Sequence, residues 1–169
     1  MDEHAVDEGA VDGVLAASRA LVAVATRSLG AAAEETTLAQ YRALVVLASR
    51  GPQRMTDLAA ALGVAASTAG RMCDRLVRKG LVRRSRGRAD RRSVQVSITA
   101  AGRRVVDEAT ARRRALIAEI LSRLPSSAQQ VVGGALLEFA AAAGEVPDGQ
   151  WPGVPAESGP VGAAAGARS

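Results

Sequence analysis

The chain has 169 residues, enough for one domain with a core of its own, and its 22 Lys and Arg exceed its 17 Asp and Glu by a net +5. Hydrophobic residues make up 48% and aromatic ones only 2%, so the core is expected to be Ala, Val and Leu, a composition that suits closely packed helices. A single Cys excludes an internal disulfide, and a single His, His4, leaves too few ligands for a zinc site of the usual kind.

The first dozen residues carry five acids and no Lys or Arg, unlike a secretion signal, and are expected to be frayed. No uninterrupted apolar run, such as the one around Glu138, approaches the roughly 20 residues of a membrane span. These features predict a cytoplasmic protein with no membrane partner.

A first helix is predicted over residues 11–29, where Val11, Val14, Leu15, Leu21, Val22, Ala25 and Leu29 recur at helical spacing before Gly30. A second follows over residues 37–50, with Leu38, Tyr41, Leu44, Val45 and Leu47 apolar and Gly51-Pro52 as the stop. Thr56 is expected to cap a short helix over 57–62, and Gly63 to supply a turn. The next helix, 66–79, has an apolar stripe of Ala69, Met72, Cys73, Leu76 and Val77. Its opposite, polar face carries Ser67, Thr68, Arg71, Asp74, Arg75 and Arg78. Gly80 closes it.

Short strands are predicted at 81–85 and 94–98, the second with Val94, Val96 and Ile98 alternating with polar residues, and residues 86–92 form the loop between them. Thr99 is expected to cap a long helix to about residue 123. Pro125 breaks it, and Ser126 or Ser127 caps a last helix to about residue 143. Residues 145–169, rich in Pro, Gly and Ala, read as a disordered tail.

Helix, glycine turn, Arg-faced helix, Arg-rich loop and hairpin in this order describe a winged helix-turn-helix. The charge collects in the same stretch. Between Arg71 and Arg92 stand nine Arg and one Lys against two Asp, a net +8, so the remainder of the chain is net negative. Such a concentrated excess is a polyanion footprint.

Three pieces resemble the multiple antibiotic resistance regulator (MarR) family of bacterial transcription factors. They are Leu58-Ala-Ala-Ala-Leu-Gly-Val, then Ser67-Thr68-Ala69-Gly70-Arg71 with Asp74-Arg75-Leu76, then Asp90-Arg91-Arg92-Ser93-Val94-Gln95-Val96-Ser97-Ile98-Thr99 with Gly102. Many helix-turn-helix proteins carry the first two; the Asp-Arg-Arg wing followed by Ile-Thr-x-x-Gly is the discriminating piece. The resemblance implies a mainly α fold with a small β-hairpin wing, a single domain over about residues 10–143, and a DNA-binding lobe over about 37–99. It also implies dimerisation helices at about 10–30, 100–123 and 126–143, with tails at 1–9 and 145–169. The chain departs from the family pattern at Gly87, where an Asp is common, at Ala89, where an Arg often precedes Asp-Arg-Arg, and at Ala65, where Ser often starts the recognition helix.

The roles then divide. Ser67 and Thr68, at the start of the recognition helix, reach phosphates or base edges, and Arg71 lies one turn on along the same face. An Arg there can hold guanine O6 and N7 with two hydrogen bonds, worth about 1–3 kcal/mol of discrimination. Arg75 and Arg78 meet phosphates. The wing carries Arg86, Arg88, Arg91 and Arg92, and the resemblance implies that a wing-tip Arg, Arg88 or Arg91, enters the minor groove. Asp90 is expected to orient Arg92. Lys79, Arg83 and Arg84 are read with Arg86 as general positive field.

The first and the last two helices carry more apolar residues than the DNA-binding lobe covers, which points with the resemblance to a homodimer on a pseudo-palindrome. The resemblance further implies a small aromatic or phenolic effector; Tyr41, Phe139 and Trp151 are the only aromatic residues, and no pocket residue is assigned. No other cofactor or metal is expected. Some relatives sense oxidants through a Cys in the first helix, but Cys73 reads as a small core residue. Nothing suggests an enzyme: no carboxylate pair flanks a His, and Gly133-Gly134 lacks the following Lys of a phosphate loop. The expected function is a sequence-specific DNA-binding regulator, a ligand-released repressor; the alternative is a non-specific architectural nucleic-acid binder.

Overall fold

The structure, a computed structural model, describes residues 6–30, 36–86 and 94–153. Helices α1 (Glu8–Leu29) and α2 (Leu38–Arg50) lead through a two-residue strand, β1 (Gln53–Arg54), into α3 (Met55–Leu62) and α4 (Ala66–Arg78). The hairpin β2 (Val82–Arg86) and β3 (Val94–Ile98) follows, then α5 (Ala100–Leu121), α6 (Ser126–Ala142) and a 3-10 turn, Asp148–Gln150. The mainly helical winged helix-turn-helix read from the sequence is the observed fold. The addition is β1, which makes the hairpin an antiparallel sheet of order β1-β3-β2 by setting Gln53 opposite Val96 and Arg54 opposite Gln95. Two residues carry no periodic signal, and the partner strand lies some forty positions away in sequence.

Two of the three helix starts expected to carry a side-chain cap lack one, those of α3 and α6, while Thr99 caps α5 as expected. The acids at the start of α1 are part of the helix: Asp7 is its N-cap, accepting from the Gly9 amide at 2.8 Å, and Glu8 complements the dipole in the first turn. Thr56 is not a cap; α3 starts at Met55 with Arg54 in the cap position, and the Thr56 hydroxyl meets Asp57 Oδ1 at 3.3 Å. Neither Ser126 nor Ser127 caps α6, whose N-cap is Pro125 with no side-chain bond. By contrast α2 opens with a reciprocal capping box between Thr37 and Gln40.

The core gathers around α2, which buries Tyr41, Ala43, Leu44, Val46, Leu47 and Ala48. Against these pack Leu58 of α3, Met72, Cys73 and Leu76 of α4, Val96 and Ile98 of β3, and Val106 and Ala109 of α5. Two residues expected inside, Leu38 and Val77, are exposed at the flank of their stripes. In β3, Val94 lies outside and Ser97 is buried, because Arg83 Nε reaches across the strand pair to donate to Ser97 Oγ at 3.1 Å.

The hairpin is tied to α5 at one point. Thr99 Oγ1 caps α5 by accepting from the Gly102 amide at 3.1 Å and donates to the Gly80 carbonyl at 2.7 Å, while the Thr99 amide donates to the Leu81 carbonyl at 3.1 Å. Gly102 sits so close that a Cβ there would lie 2.1 Å from the Leu81 carbonyl oxygen. The Ile-Thr-x-x-Gly sequence is therefore a packing device: a cap, a cross-link and a backbone contact within five residues.

The outer helices are thinly covered. In α1 only Val24, Ser28 and Leu29 are buried, with Arg112 of α5 donating to the Ser28 and Leu29 carbonyls at 2.7 and 3.2 Å. Helix α6 buries nothing among the described residues, and Val131 and Leu137 are each 70% exposed. By length and composition α1 is apolar enough to cross a membrane, at a mean hydropathy of 1.4, a property that a search for uninterrupted apolar runs misses because Asp12, Arg19 and Arg27 interrupt it.

The predicted disordered tail is corrected for residues 145–153. Glu145 pairs with Arg42 of α2, Arg50 donates to the Gly144 carbonyl at 3.2 Å, and Trp151 packs on the core edge with its Nε1 donating to the Val146 carbonyl at 2.8 Å. The Arg103 guanidinium lies 5.5 Å from the centroid of the Trp151 ring and donates to the Pro152 carbonyl at 3.1 Å. Pro and Gly suggested disorder, but one large aromatic ring and three arginines, Arg42, Arg50 and Arg103, hold the segment. The rest of the expected tail, from 154 on, and the N-terminal residues 1–5 lie outside the described residues.

Candidate nucleic-acid interface

Gly63 joins α3 to α4 in a left-handed conformation, φ 64 and ψ 32, a turn that costs glycine little and other residues more. It sends α4 across α3 with Ala69, Met72, Cys73 and Leu76 inward. The other face then projects Ser67, Arg71, Arg75 and Arg78 into solvent and leaves Thr68 half-buried beside them. Arg71 Nη2 donates to Thr68 Oγ1 at 3.3 Å, which holds the guanidinium along the first turns of the helix. Arg71, Arg75 and Arg78 make no ion pair among the described residues. All five predicted recognition-helix residues thus share one open face. Ala65 occupies the N-cap of α4 without a side-chain hydrogen bond, so Ser67 does not take over the missing cap.

Three of the four cations read as general field, Lys79, Arg83 and Arg84, have specific partners instead. Arg84 Nη2 lies 2.8 Å from Asp74 Oδ1 and 3.4 Å from the Gly70 carbonyl, both on α4. Arg83 bonds Ser97 across the hairpin, and Lys79 Nζ lies 3.5 Å from Gln40 Oε1 at the start of α2. Strand alternation explains the division: Arg84 stands opposite Val96, on the core-facing side of the hairpin, and Arg83 opposite Ser97 on the other. A pairing between residues ten apart, through a turn and a strand, leaves no periodic trace in the sequence. Arg86 closes β2 in register with Val94. Arg88, Asp90, Arg91 and Arg92, with the departures at Gly87 and Ala89, fall within 87–93, outside the described residues.

Cys73 is fully buried, and that burial pushes its thiol above the ordinary range; nearby Arg84 opposes the shift and Asp74 adds to it. The thiol stays protonated at neutral pH, as befits a small core residue.

Two features lie away from α4. A cavity of about 340 Å³ opens between α5 and the C-terminal segment, lined by Arg103, Asp107, Thr110, Arg114, Asp148 and Trp151. On another side of α5, the Arg113 guanidinium lies 5.2 Å from the centroid of the buried Tyr41 ring, and its Nε is buried without a hydrogen-bond partner among the described residues.

A turn-linked α3–α4 pair whose second helix presents an arginine face, flanked by a basic hairpin, defines a winged helix-turn-helix protein. The MarR family model matches residues 36–94, the stretch from α2 to the start of β3. RV1404 from Mycobacterium tuberculosis is 37% identical, and the likeness covers 85% of this chain and 99% of that one at a TM-score of 0.76. The chain belongs to the MarR family of DNA-binding transcriptional regulators. The HTH-type transcriptional regulator YpoP of Bacillus subtilis is 34% identical over 73 residues, 43% of this chain and 52% of YpoP, so the match spans about half of that relative. BpsR of Bordetella bronchiseptica, whose DNA binding is regulated by 6-hydroxynicotinic acid, is 25% identical, and the likeness covers 79% of this chain and 99% of that one at a TM-score of 0.58.

Proposed function

We propose that the chain is a homodimeric, sequence-specific repressor that acts in the cytoplasm on a pseudo-palindromic operator. The observation that carries this reading is the α4 face, where Arg71 stands exposed beside Ser67 and Thr68 with no acid paired to it among the described residues. Arg71 reads guanine, Arg75 and Arg78 engage phosphates, and a wing-tip arginine, Arg88 or Arg91, enters the minor groove, with Asp90 orienting Arg92 and Arg86 adding to the positive field. Gel shifts on the chain's own upstream DNA test it. Arg71→Ala is expected to weaken specific binding roughly 10-fold to 100-fold, the equivalent of one lost bidentate pair. An equal loss on random duplex would point to architectural binding instead.

Dimerisation is supported by the uncovered apolar faces of α1 and α6. Burying such faces against a second copy is favourable at about 25 cal/mol per Å². Sedimentation equilibrium is expected to give a dimer that Leu137→Glu weakens; an unshifted dimer would exclude α6 from the interface.

For the effector, the buried Arg113 Nε, without a hydrogen-bond partner among the described residues, favours a small acid whose carboxylate would satisfy it. 6-Hydroxynicotinic acid, which regulates BpsR, is the first probe. It is expected to release DNA from the native protein and not from Arg113→Leu.

A further inference from the structure

Asp74 is out of keeping with its surroundings. It stands on the recognition helix between Ser67 and Arg78 on the polar face, where DNA phosphates approach, and a carboxylate there repels them. Its partner is Arg84, on the hairpin, at 2.8 Å, and the same guanidinium meets the Gly70 carbonyl one turn back along α4 at 3.4 Å. The two contacts fasten the hairpin to the flank of the recognition helix. Both side chains are partly exposed, at 39% and 49%, so the pair adds little to folding. A helix in the major groove and a wing in the adjacent minor groove straddle one sugar–phosphate strand, so the spacing between α4 and the hairpin must match it.

We infer that Arg84 is a positioning residue for DNA binding, clamping the wing to the recognition helix through Asp74, and that it does not itself contact a phosphate. The inference rests on the DNA-binding reading above. In the clamp, Asp74 helps binding although its charge is unfavourable near DNA, because without it Arg84 releases the hairpin. Gly70, at the floor of the clamp, meets nothing within 4 Å of an added Cβ and leaves the flank open.

Simple electrostatics and the clamp predict opposite signs for one substitution. Full-length protein is titrated with its own upstream operator duplex and with random duplex over a range of salt. Asp74→Asn and Arg84→Gln are each expected to weaken operator binding roughly fivefold to twentyfold, with the double variant no worse than the weaker single one. The slope of log affinity against log salt is expected to stay at the wild-type value. Hydroxyl-radical footprints are expected to lose protection on the wing side while the α4 contacts persist. The clamp is overturned if Asp74→Asn binds as well as wild type or tighter, or if Arg84→Gln lowers the salt slope by about 0.9, the signature of one lost phosphate contact. Wild-type protein that binds neither duplex would overturn the DNA-binding reading itself, and the clamp with it.

Discussion

At Gly102 one missing Cβ decides how the DNA-binding lobe meets the long helix. The Leu81 carbonyl lies where that carbon would be, and it is already engaged by the Thr99 amide, so it has no room to retreat. Gly102→Ala is expected to destabilise the fold by about 1–3 kcal/mol, the usual cost of overpacking, read as a lower melting temperature. An unchanged melting temperature would mean that α5 shifts freely on the hairpin. The sequence alone identified this glycine as part of a signature, and the structure supplies the reason. Arginines were less legible. Arg71 and Arg84 look alike in a basic stretch, but Arg71 bonds Thr68 one turn back on its own helix, whereas Arg84 reaches Asp74 on another element, a contact that depends on the tertiary fold.

Among the elements, α4 was legible because its two faces differ so sharply in polarity. Its weak end was visible too: Ala65 gives no cap. Ala65→Ser, with its backbone already extended at φ −62 and ψ 146, is expected to stabilise the protein by about 1 kcal/mol, measured by denaturant unfolding. No gain would mean that DNA-free α4 frays regardless of its cap. The C-terminal segment was illegible, since nothing in its composition announces a docked ring. Arg42 hydrogen-bonds Glu145 and holds its carboxyl below the ordinary range, so the contact contributes above that range and is lost as pH falls through the lowered value. Trp151, the only Trp, reports it: acid or Glu145→Gln is expected to red-shift its emission and raise acrylamide quenching, while a spectrum constant from neutral to acid pH would contradict the docking.

In the whole molecule, charge and apolar surface are segregated. The +8 stretch begins in α4 and continues through β2, and most of the exposed large apolar residues lie on α1 and α6. The sequence carried both properties as local runs, while β1, the tied cations and the docked Trp151 depended on distant partners. On the proposed dimeric reading, one end would bind a second copy while the other faces DNA, with two α4 helices about 34 Å apart, one duplex turn. Selection of bound sequences from a random duplex pool tests that arrangement most directly. Enrichment of a pseudo-palindrome with half-sites one turn apart, weakened for Arg71→Ala, is the expected result. A pool that stays random after repeated rounds, with equal affinity for every duplex, would contradict it.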